Sequence, residues 1–225
     1  MTAQIENHQS AIVNPPFYPA RPVNGGPLDK ALPKSGEWLY EPKFNGWRAT
    51  VHVPTGLMFN RHNKPLSIGD EFKKALAELK HELYLNVSRE RDCLVQYVGR
   101  ASLTEAEIEW ADVEALERRH NRGRGSLVLL DLPMLDLPCK RRGYVARSTF
   151  CPAIDHCAGT DTVYSVPQYT DGAMVYSELQ LNNRMLGDIP FYEGVVAKRA
   201  DSPYPRQRRS PDVEFPFWMK HRWAF

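Results

Sequence analysis

From Glu37 onward the chain is written in short β-like runs, and this pattern constrains its fold more than any other feature. EWLYEPKF (37–44) is followed by WRATVHV (47–53), a Pro54-Thr55-Gly56 turn and LMFNR (57–61). Apolar and polar residues alternating across a turn predict strands joined by a hairpin. Further on, SLVLLDLPML (126–135) is a continuous apolar run, the signature of a buried strand. Covering layers come from helices. DEFKKALAELKHE (70–82) is the clearest, with Phe72, Leu76 and Leu79 spaced to pack one face on a sheet. A second helix is expected over 172–185, and 104–120 also reads as helical, opened by a capping box at Thr104 and Glu107. EGVVAK (193–198) adds another strand signal. With no internal repeat and no central linker, one mixed α+β domain is the simplest account.

The first 36 residues hold many of the prolines and glycines, so they are expected to form an extended surface arm, with the domain proper spanning 37–225. At 225 residues the chain can bury a core without staples. No apolar run approaches the roughly 18 to 20 residues of a membrane helix, and the N-terminus lacks a signal-peptide pattern, so a cytoplasmic address with no membrane partner is expected. The four cysteines form no CxxC pair, which reads as free thiols in a reducing compartment. A net charge of +2 defines no partner by itself. Its distribution says more: Arg118, Arg119, Arg122 and Arg124 form one basic cluster, Lys140, Arg141 and Arg142 a second, and Arg206, Arg208 and Arg209 a third. Each is either a phosphate-neutralising patch or a solvated charged face.

The most informative segment is Glu41-Pro42-Lys43-Phe44-Asn45-Gly46-Trp47-Arg48. It puts a lysine at a strand end, a glycine where backbone can come close to a ligand, and then an arginine. A lysine amine is nucleophilic only when deprotonated, and neighbouring cations plus desolvation lower its pKa from about 10.4 toward neutrality. Arg48 and two later lysines could supply those cations.

Four more segments follow in order: FNRHNK around Arg61, ADVEAL around Glu114, YEGVVAKR around Glu193 and Lys198, and FWMKHR around Lys220. Together, from about Tyr40 to Arg222, they resemble the motif series of the covalent nucleotidyltransferases, namely ATP-dependent DNA ligases, RNA ligases and mRNA capping enzymes. The resemblance implies a nucleotidyltransferase fold of the ATP-grasp-like ligase adenylation type, with antiparallel sheets around an ATP cleft. It makes Lys43 the nucleophile that attacks the α-phosphate of ATP to form lysyl-AMP. Glu41 would read the adenine, and Arg48 and Arg61 would contact sugar and phosphates. Glu114 would hold the ribose or help order the metal, Glu193 would bind Mg²⁺, and Lys198 and Lys220 would contact phosphates. Arg206, Arg208 and Arg209 are assigned to the nucleic acid. The expected cofactors are ATP and Mg²⁺, and the expected partner is nicked double-stranded nucleic acid, DNA preferred and RNA the alternative. Each residue also has a plainer reading: Glu114 as an exposed helix charge, Arg61 as a hairpin arginine, Trp218 and Trp223 as core or interface aromatics. Glu193 and Lys198 are separated by an odd number of residues, so a regular strand puts them on opposite faces unless a bulge or strand end intervenes.

Three departures from the family pattern stand out. Asn45 occupies a position usually held by aspartate. Leu130 precedes Asp131 where an aromatic residue commonly flanks the adenine, which predicts an aliphatic wall. The family's C-terminal OB domain is absent from this sequence, leaving a minimal ligase, a fragment, or a chain whose partner protein supplies that domain. The expected function is an ATP-dependent DNA ligase. The alternatives are an RNA ligase and a catalytically impaired nucleic-acid-binding module of the same fold.

Overall fold

A computed structural model describes residues 14–26, 36–67, 70–117, 125–153, 162–186, 190–206 and 210–223. Two sheets carry the architecture. The first has strand order β1-β9-β8-β2, made of β1 (Arg21–Asn24), β2 (Trp38–Phe44), β8 (Tyr192–Arg199) and β9 (Glu214–Arg222). The second has order β4-β3-β5-β6-β7, made of β3 (Trp47–His52), β4 (Leu57–Asn60), β5 (Trp110–Leu116), β6 (Ser126–Asp131) and β7 (Val163–Ser165). Pairing is antiparallel except for β1 with β9 and β6 with β7. Among the described residues, five helices complete the fold: α1 (Lys73–Ser88), α2 (Asp92–Val98), α3 (Glu105–Ile108), α4 (Cys139–Thr149) and α5 (Gly172–Leu186).

The period-two alternation of the second sheet explains how the cleft is made. Ala49, Val51, Val113, Ala115, Leu127 and Leu129 point into a core shared with Ala75, Leu79 and Leu83 of α1 and Val145 of α4. Each buried leucine of this kind is worth roughly 1.5–3 kcal/mol over an exposed one. Their sequence neighbours, Arg48, Asp112 and Glu114, therefore face the other way, toward the first sheet. On that sheet Trp38, Tyr40, Phe44, Tyr192, Val195 and Ala197 pack beneath α5 with Val175 and Leu179. Glu41, Lys43 and Lys198 are left on the face opposite that core.

The helix over 70–82 is present, but it begins as a 3-10 turn at Asp70–Phe72 and continues to Ser88. The extension is tertiary in origin: the buried Asn86 side-chain Nδ2 donates to Thr149 Oγ1 at 2.7 Å, and the Asn86 backbone carbonyl accepts from Leu103 N. The expected helix over 104–120 needs correction. The capping box at Thr104 and Glu107 forms, but the helix stops at Ile108, and 110–116 is a strand. Sandwiched between β3 and β6 with every residue buried, this segment gains two ladders and a core face that a surface helix would forfeit. Glu114 is therefore an inward strand carboxylate and not a helix-surface charge.

Residues 14–26 fell within the expected surface arm, yet they are built into the fold: Phe17 and Ala20 are buried, and β1 pairs with β9. The bulge left open by the Glu193 and Lys198 spacing is present. Lys43 pairs with Gly194 but Phe44 pairs with Tyr192, so Glu193 is the extra residue. Gly194 makes this possible with φ 148°, and an added Cβ would lie 1.9 Å from the His221 carbonyl oxygen. Among the described residues, Cys93, Cys139 and Cys151 are free thiols, and no helix is long and apolar enough to cross a membrane. Arg118, Arg119, Arg122, Arg124, Cys157, Arg208 and Arg209 lie outside the described residues.

Candidate active site

The two sheets enclose a cleft of about 590 Å³ lined by Glu41, Lys43, Arg48, Arg61, Glu114, Glu193, Lys198 and Lys220. Eight residues singled out in the sequence, scattered over nearly 180 positions, converge on it. Lys43 sits where β2 leaves the first sheet and the chain turns at Asn45 and Gly46 into β3 of the second. The turn is tight. A Cβ on Gly46 would lie 2.7 Å from the Ala115 carbonyl oxygen and 2.9 Å from Glu114 Cγ, so the glycine is required by the approach of β5.

Asn45 has its own explanation. Its Nδ2 donates to the Pro190 carbonyl at 2.9 Å, and its backbone N–H to that of Phe191 at 2.9 Å, tying the turn after Lys43 to the entry of β8. A carboxylate has no proton to donate there. Asn45→Asp is expected to cost about 1–3 kcal/mol, seen as a lower denaturant midpoint with an unchanged slope. An unchanged midpoint would mean that this contact contributes nothing.

Lys43 Nζ is ion-paired with the Glu193 carboxylate, which also takes Arg222 at 3.1 Å. Lys220 is half-buried on the same rim. Its pKa is lowered by desolvation and by the nearby charges of Arg222, Arg21 and Lys43, so the cleft mouth concentrates positive charge. Arg48 is clamped: Nε and Nη2 reach Asp112 at 3.0 and 2.5 Å, and Nη1 donates to the Ala20 carbonyl at 2.6 Å. Arg61 is exposed at the rim, with Nε 3.0 Å from His62 Nε2.

Lys198 behaves differently from the expectation of a free phosphate contact. It is 3 % exposed, pairs with Glu41 at 2.7 Å, and lies 4.1 Å from the centroid of the buried Trp218 ring. Burial works against its charge, but Glu41 and Asp131 outweigh this and raise its pKa. Glu41 is likewise engaged. Its other oxygen accepts from Gln168 Nε2 at 2.8 Å, so its first role in this chain is to hold Lys198 on the cleft floor. Leu130 lines the cleft, as an aliphatic wall requires.

The second basic cluster needs correction too. Arg142 is completely buried and forks onto Asp131 at 2.6 and 3.2 Å, while Lys140 pairs with Glu37, so this cluster is largely consumed within the fold. Arg206 is half-exposed, pairs with Asp136 at 3.0 Å and does not line the cleft.

Burial pushes the Glu114 carboxyl up to about 7, against the pull of Lys43 and Arg48. Near neutrality it can therefore accept or donate a hydrogen bond. Between about pH 4.3, where glutamate titrates when unfolded, and pH about 7, the native state holds the extra proton. Its contribution to stability is thus full at low pH and lost as pH rises through about 7. Between pH ~5 and ~8, Glu114→Gln is expected to gain on the order of 2–3 kcal/mol relative to the parent chain in unfolding titrations. Parallel pH profiles for the two proteins would refute this.

Asp112, Gln168, Tyr204 and Arg222 were not singled out in the sequence. Asp112 lies two residues before Glu114 and Arg222 two after Lys220, so strand period would have found both once 110–116 and 214–222 were read as β. Tyr204 and Gln168 sit in loops and carry no such signal.

No protein-family model matches the chain, and no curated protein matches it. Solved structures do. The ligase domain of M. tuberculosis LigD superimposes with a TM-score of 0.56 at 18 % identity, over 92 % of this chain and 59 % of that one. A mycobacterial DNA ligase D complexed with ATP and MES gives 0.52 at 19 %, over 92 % and 60 %. A Lig E DNA ligase gives 0.50 at 11 %, over 91 % and 68 %. The chain therefore shares the fold of these ligase structures and spans about three fifths of the length of the LigD and DNA ligase D chains it matches.

Proposed function

We propose that this chain is an ATP-dependent polynucleotide ligase that takes AMP onto Lys43 and uses it to seal nicked DNA. The observation that carries this reading is the convergence of Lys43, Arg48, Glu114, Glu193 and Lys220 on one cleft of a ligase fold. Residues 37–225 are taken as the adenylation domain, with 14–26 forming one of its walls.

In the proposed first step the Lys43 amine attacks the α-phosphorus of ATP, the bond to the β-phosphate oxygen breaks, and pyrophosphate leaves. The Nζ proton passes to Glu193, already its hydrogen-bond partner. Neighbouring Lys220 and Arg222, with Arg48, neutralise charge building on the phosphates. AMP then moves to a 5′-phosphate on the nucleic acid, and a 3′-hydroxyl displaces it to form the phosphodiester.

Glu193 and Glu114 both face the cleft and fit a Mg²⁺ site. Among the described residues no larger cluster of His, Cys, Asp or Glu could hold a metal, but Mg²⁺ commonly takes one or two carboxylates with waters and substrate phosphates. When bound, Mg²⁺ supplies charge neutralisation on the triphosphate.

The test is sealing of a 5′-phosphorylated nick in duplex DNA and in duplex RNA, each with ATP and with GTP. Sealing of the DNA nick with ATP is the expected result. Sealing of RNA alone would favour the RNA ligase, while nucleic-acid binding without sealing or covalent AMP would favour a binding module.

A further inference from the structure

A closed ring of hydrogen bonds runs behind the cleft. Tyr204 Oη donates to Asp112 Oδ2 at 2.7 Å, and Asp112 receives both arms of Arg48. Arg48 Nη1 donates to the Ala20 carbonyl, and Ala20 N–H returns the ring to Tyr204 Oη at 3.1 Å. Four parts of the chain are joined in this way: the stretch before β1, β3, β5 and the loop after β8. Tyr204 and Asp112 are buried and neither lines the cleft, whereas Arg48 does. Burial and the Asp112 charge hold the phenol well above its ordinary pKa, so it remains a donor at neutral pH. Edge contacts with Phe17 and Trp218, both with centroids 5.7 Å away, fix the ring from two sides.

We propose that Tyr204 is a positioning residue for the nucleotide site: through Asp112 and Ala20 it sets the direction in which the Arg48 guanidinium enters the cleft. The proposal rests on the nucleotide-binding part of the ligase reading. Its physical basis is that a buried carboxylate holding a forked arginine fixes the arginine only as firmly as the carboxylate itself is held. Tyr204 supplies the only hydrogen bond to Asp112 Oδ2, among those of the described residues, that does not come from Arg48. Without the phenol hydroxyl, Oδ2 loses that donor and Ala20 N–H loses its acceptor, so the arginine is steered by a looser frame. Tyr204→Phe keeps the ring packing and deletes only the hydroxyl.

The experiment is equilibrium binding of ATP to the full chain and to Tyr204→Phe, Arg48→Lys and the double variant, with thermal unfolding as a control for folding. Tyr204→Phe is expected to weaken ATP binding about tenfold, the scale of one well-placed hydrogen bond, and by less than about twofold once Arg48 is lysine. Equal weakening in both backgrounds, or none in the parent, would overturn the proposal. If Arg48→Lys fails to fold, adenine replaces it as the discriminating probe. Lacking sugar and phosphates, adenine is expected to bind the parent and Tyr204→Phe equally, whereas a general loosening weakens both ligands. A parent chain that does not bind ATP at all would overturn the nucleotide reading itself, a result distinct from ATP binding that is indifferent to Tyr204.

Discussion

Lys43→Ala is expected to reduce labelling by α-labelled ATP to background while leaving the fold intact. The substitution removes the amine that forms the phosphoramidate in the proposed reaction. It should not unfold the chain, because Glu193 retains Arg222 at 3.1 Å when its lysine partner is removed. The Lys43 and Glu193 side chains are 19 % and 20 % exposed, so loss of their pair should cost only about 1 kcal/mol. Denaturant unfolding checks the second half of this expectation and gel autoradiography the first. A variant that is folded and still labelled would mean that another residue takes the AMP.

Lys198→Met is expected to do the reverse, costing stability on a scale of about 3–5 kcal/mol. It leaves the Glu41 carboxylate at the cleft floor with Gln168 but without a cation within 4 Å among the described residues, and Glu41 itself is 2 % exposed. The penalty comes from the stranded charge, so adding Glu41→Gln should recover most of it. Urea unfolding of the two single variants and the double variant measures this directly. Lys198→Met as stable as the parent would show that the buried pair is not formed.

What could be read in the sequence depended on whether a residue's role followed from local order or from a partner far along the chain. The Glu41 to Arg48 segment announces itself, because a strand end, a glycine and two cations lie within eight positions. Apolar alternation likewise gave β2, β3 and β4, and the run at 126–131 gave β6. Glu114 was misplaced on a helix because its local pattern satisfies a capping box and helical spacing, whereas its strand conformation comes from β3 and β6 on either side. The engagement of Lys198 by Glu41 spans more than 150 positions, and no spacing rule reaches that far. Asn45 looked like a lost charge in the sequence, but in the fold it is a donor that a carboxylate could not replace. Arg142 looked like part of a basic patch until Asp131 was found beneath it.

The most direct measurement is incubation of the intact chain with α-labelled ATP and Mg²⁺, followed by denaturing separation and acid treatment of the protein band. The ligase reading predicts a label that survives denaturation, is released by acid as a phosphoramidate requires, and does not form from labelled GTP. ATP bound by the folded protein with no covalent label would contradict nucleotidyl transfer to Lys43 and leave a fold that binds without catalysing.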